Sequence, residues 1–202
     1  MNTSKWRKQQ NKDSFFKRAQ SEGWRSRAVF KLEEIDKKYH LLQSGLIVID
    51  LGASPGSWSQ YAAKKVLPKG RVIALDLLKM DLLSGVDFIQ TDFAKDEAVG
   101  QINAVLQDHK AGLVMSDIAP NISGVRSIDQ PKSMHLAELA LDLCYKVLKY
   151  KGNFLIKIFQ GEGFDPFVAE CRKSFKNVRI VKPKASRPES REVYLVATGS
   201  RL

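Results

Sequence analysis

The chain of 202 residues is 44% hydrophobic and 27% charged, a make-up that suits a water-soluble protein with one domain and a core that needs no staples. No apolar run approaches the roughly 20 residues that span a bilayer, and two cysteines and three scattered histidines argue against a disulfide framework or a zinc site. The net charge of +11 comes from the two ends, since residues 1–31 carry nine basic and two acidic side chains, residues 170–202 carry nine and three, and the middle is slightly acidic; this predicts a polyanion-binding surface on a near-neutral body.

Residues 1–25, MNTSKWRKQQNKDSFFKRAQSEGWR, form a basic N-terminal segment. They lack the apolar centre of a secretory signal, and 26–202 reads as one domain, so a cytoplasmic location with no membrane and no obligate protein partner is expected. Ala28, Leu32, Ile35, Tyr39 and Leu42 follow helical spacing, with Ser26 placed to cap the start. LIVIDLGASPGSWSQYAAKKV is then an apolar run, a glycine-containing turn and a helix. GRVIALDLL (70–78) and GVDFIQTDF (85–93) read as short strands that each end at an aspartate, and AGLVMSDIAPN (111–121) as a strand closing on Asp117. In SMHLAELALDLCYKVLKYKG, Leu136, Leu139, Ala140, Leu143, Val147 and Leu148 share a helical face, and Gly152 is placed to end that helix. NFLIKIF makes a strand, followed by a helix over 165–175 and by two strands around a basic loop in NVRIVKPKASRPESREVYLVATG.

Strands alternating with helices predict an α/β fold, a mostly parallel sheet with helices on both faces. No helix separates the last two strands, so these should be antiparallel to each other. Ligands of open parallel sheets bind beyond the carboxyl ends of the strands, where Asp50, Asp76, Asp92, Asp117 and Lys157 fall. A last strand running the other way begins at that same edge, with Glu192. Lys157 is the one charge in an apolar strand. By itself it reads as a snorkelling lysine near a strand end; beside Asp117 and Glu192 it becomes part of a crevice.

The turn Gly52-Ala-Ser-Pro-Gly56 is not the G-x-G-x-x-G of pyrophosphate-binding dehydrogenases, which disfavours a dinucleotide. Its glycines let backbone and ligand approach closely. Asp76 is placed to accept from a ribose diol and Asp92 from an adenine amino group. Such acidic lining suits a positively charged nucleoside such as S-adenosylmethionine, although aspartates that end strands also serve as plain helix caps.

Together SRAVFKLEEID, VIDLGASPGSWSQ, VIALDLL, SDIAPNISGVRSIDQ, FLIKIFQGEGF and ASRPESREVYLVA resemble the FtsJ/RrmJ family of 2′-O-ribose RNA methyltransferases from about residue 20 to 198. The likeness is strongest to bacterial members that methylate a uridine of large-subunit ribosomal RNA. The resemblance implies a Rossmann-like S-adenosylmethionine-dependent methyltransferase fold with an antiparallel last strand. It also implies a Lys-Asp-Lys-Glu tetrad at Lys31, Asp117, Lys157 and Glu192. For the cofactor it implies Gly56 and Trp58 on the methionine side, Asp76 at the ribose, Asp92 at the adenine and Asp117 beside the sulfonium. Bacterial members often read GAAPGGW where this chain has GASPGSW, a change to small residues that leaves the turn intact.

Methyl transfer to a hydroxyl requires orientation, worth roughly 7–11 kcal/mol, and removal of a proton, worth a further 10²–10⁴-fold or so. An ordinary lysine is neutral in only about one molecule in a few thousand at pH 7; burial and a second ammonium favour the amine, whereas neighbouring carboxylates oppose it. Two versions of the mechanism therefore stand: Lys157 as general base with Lys31 and Glu192 holding the ribose, or Lys157 charged and orienting the hydroxyl. RNA is expected over the basic ends, with Arg25, Arg27, Lys182, Lys184 and Arg187 as contacts. Trp6, Phe15, Phe16 and Trp24 are candidates either to stack on bases or to pack a helix on the domain. No metal is called for. The rivals are a transfer-RNA 2′-O-methyltransferase and a non-catalytic RNA-binding or ribosome-assembly module on the same fold.

Overall fold

A computed structural model of the protein describes residues 13–120 and 123–202; Lys5, Trp6, Arg7, Lys8, Lys12 and Asn121 of the SDIAPN stretch lie outside them. In chain order the elements are α1 (Ser14–Ser21), α2 (Val29–Tyr39), β1 (Ile47–Leu51), α3 (Ser57–Val66), β2 (Arg71–Asp76), β3 (Val86–Gln90), α4 (Asp96–Leu106), β4 (Ala111–Ser116), α5 (Arg126–Val147), β5 (Leu148–Phe159), α6 (Phe164–Ser174), β6 (Phe175–Val181) and β7 (Glu192–Ser200). The strands form one seven-stranded sheet in the order β3-β2-β1-β4-β5-β7-β6. β1 to β5 run parallel, and β7 is antiparallel to both β5 and β6.

Two apolar faces cover this sheet, as a buried parallel sheet requires. On one, Ile49, Leu51, Ile73, Leu75, Val114, Phe154, Ile156 and Ile158 pack against α4, α5 and α6. On the other, Val48, Val72, Leu113, Met115, Leu155, Tyr194 and Val196 pack against α2 and α3. Ala19 of α1 is buried in this second cluster, and Phe15 and Trp24 pack against it, so the described part of the basic segment lies on the same core. Asp13 caps α1, its carboxylate accepting from the amides of Phe15 and Phe16. No helix among the described residues is long and apolar enough to cross a membrane.

Four local expectations change. α2 starts at Val29 without a side-chain cap; the Ser26 hydroxyl accepts from the Ala28 amide at 3.3 Å and is shared with Ser57 at 2.7 Å, because the chain makes a tight turn before the helix. Leu42 lies beyond the end of α2 at Tyr39. β3 ends at Gln90, leaving Asp92 in the following turn, where its carboxylate accepts from the Ala94 amide at 3.0 Å. Gly152 does not end a helix, since α5 stops at Val147 and β5 begins at once. A Cβ at Gly152 would lie 2.8 Å from the Lys149 carbonyl oxygen and the Leu148 side chain, so glycine there serves a crowded strand.

Candidate active site at the carboxyl edge of the sheet

β1 and β4 are neighbours, with β2 and β3 on one side and β5, β7 and β6 on the other, so the sheet reverses its order between β1 and β4. A crevice at such a switch point is where ligands of these sheets bind. Period-2 alternation then sorts the side chains. Leu155 faces the cluster under α2, so Lys157, two residues on, faces the same way. Lys157 pairs in register with Tyr194 of β7, and Glu192 begins that strand two residues earlier. Lys31 comes down from α2 onto this face, and Asp117 follows the last residue of β4.

The four residues assigned to the tetrad meet. Lys31 Nζ lies 2.8 Å from Glu192 Oε1 and 3.7 Å from Asp117 Oδ1, and Lys157 Nζ lies 3.1 Å from Asp117 Oδ1. Lys157 also donates to the Asp117 carbonyl at 2.5 Å. Side-chain exposure is 13% for Lys31, 18% for Asp117, 9% for Lys157 and 13% for Glu192, far below that of a surface ion pair. Burial pushes the Asp117 carboxyl up, but Lys157, Lys31 and the Tyr194 hydroxyl outweigh it, and the group is held below its ordinary carboxylate value. Lys31, Lys157 and Glu192 open onto a cleft of about 410 Å³ whose wall includes Arg27, Ala185 and Arg187.

Tyr194 was missed in the sequence. It is fully buried, and its hydroxyl donates to Asp117 Oδ1 at 2.5 Å. Burial, with Asp117 and Glu192 nearby, raises its pKa well above the ordinary value, so the phenol stays a donor. The signal was present in the E-x-Y spacing, which puts Glu192 and Tyr194 on one face of a strand. A hydrogen bond to a charged group is worth about 1.5–3 kcal/mol. We expect Tyr194→Phe, which removes this bond, to lower the activity of the site roughly ten- to a hundredfold, read by steady-state kinetics.

The residues assigned to the cofactor gather at the switch point, except Asp92, which sits one strand further out after β3. Gly52, Ala53, Ser54, Pro55, Ser57 and Trp58 line a narrow cavity with Asp50 and Asp117. Trp58 is buried and donates from Nε1 to the Ala28 carbonyl at 2.8 Å. Asp76 accepts from the amides of Ser54 at 2.8 Å and Leu78 at 2.7 Å, which fixes its carboxylate at the end of β2. Gly52 adopts a φ of +69°, and a Cβ there would lie 2.7 Å from that of Ile118. Asp50 is 1% exposed and accepts from the Ser59 hydroxyl at 2.6 Å. Burial pushes its carboxyl up to about 7, with Asp117 and Asp76 adding to the shift and Ser59 opposing it.

The expected RNA contacts divide. Lys184 and Arg187 are exposed beside the cleft. Lys182 is exposed too, but its ammonium donates to the carbonyls of Pro188 at 3.2 Å and Ser190 at 2.6 Å, tying the loop to itself. The Arg27 guanidinium is engaged by Asp13 and the Ala185 carbonyl, and that of Arg25 by three backbone carbonyls. Phe15 stacks obliquely on Phe30 and Trp24 on Tyr61, which favours packing over base stacking for these two rings. Cys144 and Cys171 are buried in helices, and burial raises both thiol pKa values, leaving neither a ready nucleophile. Among the described residues no cluster of three or more His, Cys, Asp or Glu is placed to hold a metal ion.

The fold and the cluster at its carboxyl edge are those of a Rossmann-like methyltransferase. A family model described as FtsJ-like methyltransferase matches residues 24–200, and the chain belongs to that family. A Plasmodium falciparum protein bearing the name of a ribosomal RNA methyltransferase is 30% identical, with a TM-score of 0.79 over 88% of this chain and 98% of its own. Two more distant structures share the fold. One is a Clostridium thermocellum protein named as an rRNA methylase, at 17% identity and a TM-score of 0.57 over 84% of this chain and 96% of that one. The other is a Streptococcus thermophilus protein named as a hemolysin, at 16% identity and a TM-score of 0.63 over 88% of this chain and 67% of that one.

Proposed function

We propose that this methyltransferase transfers a methyl group from S-adenosylmethionine to a ribose 2′-hydroxyl of RNA, with a uridine of large-subunit ribosomal RNA as the substrate. The observation that carries the reading is the setting of Lys157. Its nitrogen has three hydrogen-bonding positions, and two are committed to Asp117, one to the carbonyl oxygen and one to the carboxylate. The third is left for a hydroxyl in the cleft. In an ammonium that position is an N–H that orients the hydroxyl oxygen; in an amine it is the lone pair that takes its proton. Both versions of the mechanism therefore use one geometry.

S-adenosylmethionine supplies an activated methyl, which passes from sulfur to the ribose oxygen as that oxygen loses its proton. The crevice suits such a cation: Asp50, Asp76 and Asp117 surround it, and Asp50 is held where a positive charge would favour its ionised form. Gly52–Trp58 would hold the methionine end, Asp76 the ribose and Asp92 the adenine. Lys31, braced by Glu192, would bind the acceptor ribose, and the wall of the cleft would exclude water. Support for RNA comes from Lys184 and Arg187 beside the same cleft, and for ribosomal RNA from the name of the Plasmodium falciparum relative.

The test is transfer of labelled methyl from S-adenosylmethionine to large ribosomal subunits taken from methylation-deficient cells, followed by mapping of the label to a 2′-O-methyl nucleoside. Label in transfer RNA alone would move the substrate, and no label in any RNA despite cofactor binding would favour a binding module. Changing Lys184 and Arg187 together to glutamine is expected to weaken RNA binding and to lower the slope of log affinity against log salt by about one for each phosphate no longer neutralised. An unchanged slope in filter-binding assays would remove these two from the RNA surface.

A further inference from the structure

Arg25 spans two loops. Its Nη1 donates to the carbonyls of Pro55 at 3.0 Å and Asp81 at 2.8 Å, and its Nη2 to that of Leu82 at 3.0 Å. Pro55 belongs to the turn after β1, whereas Asp81 and Leu82 belong to the loop that leaves Asp76 at the end of β2. The second loop has little burial to hold it: Met80 is buried, but Leu77, Leu78 and Leu82 are 64%, 67% and 88% exposed. A planar guanidinium reaches several acceptors at fixed angles in a way an ammonium cannot reproduce.

The stretch 23–28 around Arg25 is stitched to the start of α3. The Arg25 amide donates to Gln60 Oε1 at 3.2 Å, Gln60 Nε2 donates to the Gly23 carbonyl at 2.9 Å, and the Ser26–Ser57 and Trp58–Ala28 bonds described above add two further ties. Gly56 fits the same design. It has a φ of +102°, and a Cβ there would lie 2.8 Å from Arg25 Nη1 and 2.7 Å from Met80 Sδ. The glycine expected to admit a ligand is thus already required by the arginine behind it.

We infer that Arg25 is a positioning residue of the cofactor site, fixing the turn 52–56 against the loop 77–83, and is not an RNA contact. This rests on the methyltransferase reading, in which the turn 52–56 holds the methionine end of S-adenosylmethionine and the loop 77–83 follows directly on Asp76 at its ribose. Pre-setting two loops reduces the ordering cost of binding. Arg25→Ala therefore raises the dissociation constant of S-adenosylmethionine roughly tenfold or more and raises KM for the cofactor with kcat little changed. Arg25→Lys keeps the charge and loses the fork, so it should behave like the alanine variant in cofactor binding and like wild type in the salt dependence of RNA binding.

The experiment is calorimetric titration of S-adenosylmethionine into wild type, Arg25→Ala and Arg25→Lys, with RNA binding across a salt series for each. Weakened cofactor binding in both variants at an unchanged salt slope is the expected result. Wild-type cofactor affinity in either variant overturns the inference, and so does a salt slope that falls in Arg25→Ala and recovers in Arg25→Lys. Absence of cofactor binding by wild type is a separate outcome, which would overturn the methyltransferase reading and this inference with it.

Discussion

Lys157→Ala is expected to cut methyl transfer by about 10²–10⁴-fold while leaving S-adenosylmethionine binding nearly intact. The lysine faces the acceptor cleft, and of the groups assigned to the cofactor it contacts Asp117 alone among the described hydrogen bonds and ion pairs. Arginine should not rescue the general-base version, because a guanidinium cannot give up its proton in a protein. The pH dependence of the wild-type single-turnover rate separates the two versions of the mechanism. A rate that climbs with pH and then levels identifies the lone pair as proton acceptor. A flat profile from about pH 6 to about pH 10 leaves Lys157 as an orienting donor. Wild-type rates in the alanine variant would falsify the assignment outright.

The second large effect is on Asp117→Asn. Among the described residues Asp117 is the one anion within ion-pair distance of both lysines, and Asp117→Asn leaves the largely buried Lys157 side chain with no carboxylate beside it. Removing one partner of a buried charge pair typically costs about 3–5 kcal/mol, and the rate should fall at least as far as in Lys157→Ala. The stability loss has a pH signature. Asp117 titrates below its ordinary value in the folded protein, so its contribution is complete above the unfolded carboxylate pKa of about 3.9 and is lost as pH falls through the folded value. Urea unfolding of wild type and variant should therefore show a wide gap at neutral pH that narrows in strong acid. An equal gap at both ends would mean that packing, and not charge, accounts for the loss.

Much of this site was legible in the sequence because strands obey simple rules. Alternation in β5 and the absence of a helix before β7 were enough to bring Lys157 and Glu192 to one edge, and the aspartates at strand ends marked the crevice. Tyr194 was less visible because an aromatic residue in a strand reads as core, and only its register opposite Lys157 shows what its hydroxyl reaches. The bonds of Arg25 were invisible for a different reason. Charge counts cannot tell an arginine that faces solvent from one whose fork is filled by backbone carbonyls, and those carbonyls come from loops 30 and more residues away. Gly152 failed as a helix stop because the helical period runs on to Leu148, which β5 claims by pairing with Ala111.

The position of β7 has a further consequence. It is the last strand in chain order, yet it lies inside the sheet between β5 and β6, and it carries both Glu192 and Tyr194. Until it inserts, β6 has no bonded neighbour and the Lys31 nitrogen has no Glu192. Long-range pairing of this kind is slow and closes late, so the reaction centre exists only after β7 has been made and has docked between β5 and β6. Completion of the sheet and assembly of the cluster around Lys157 are then a single event.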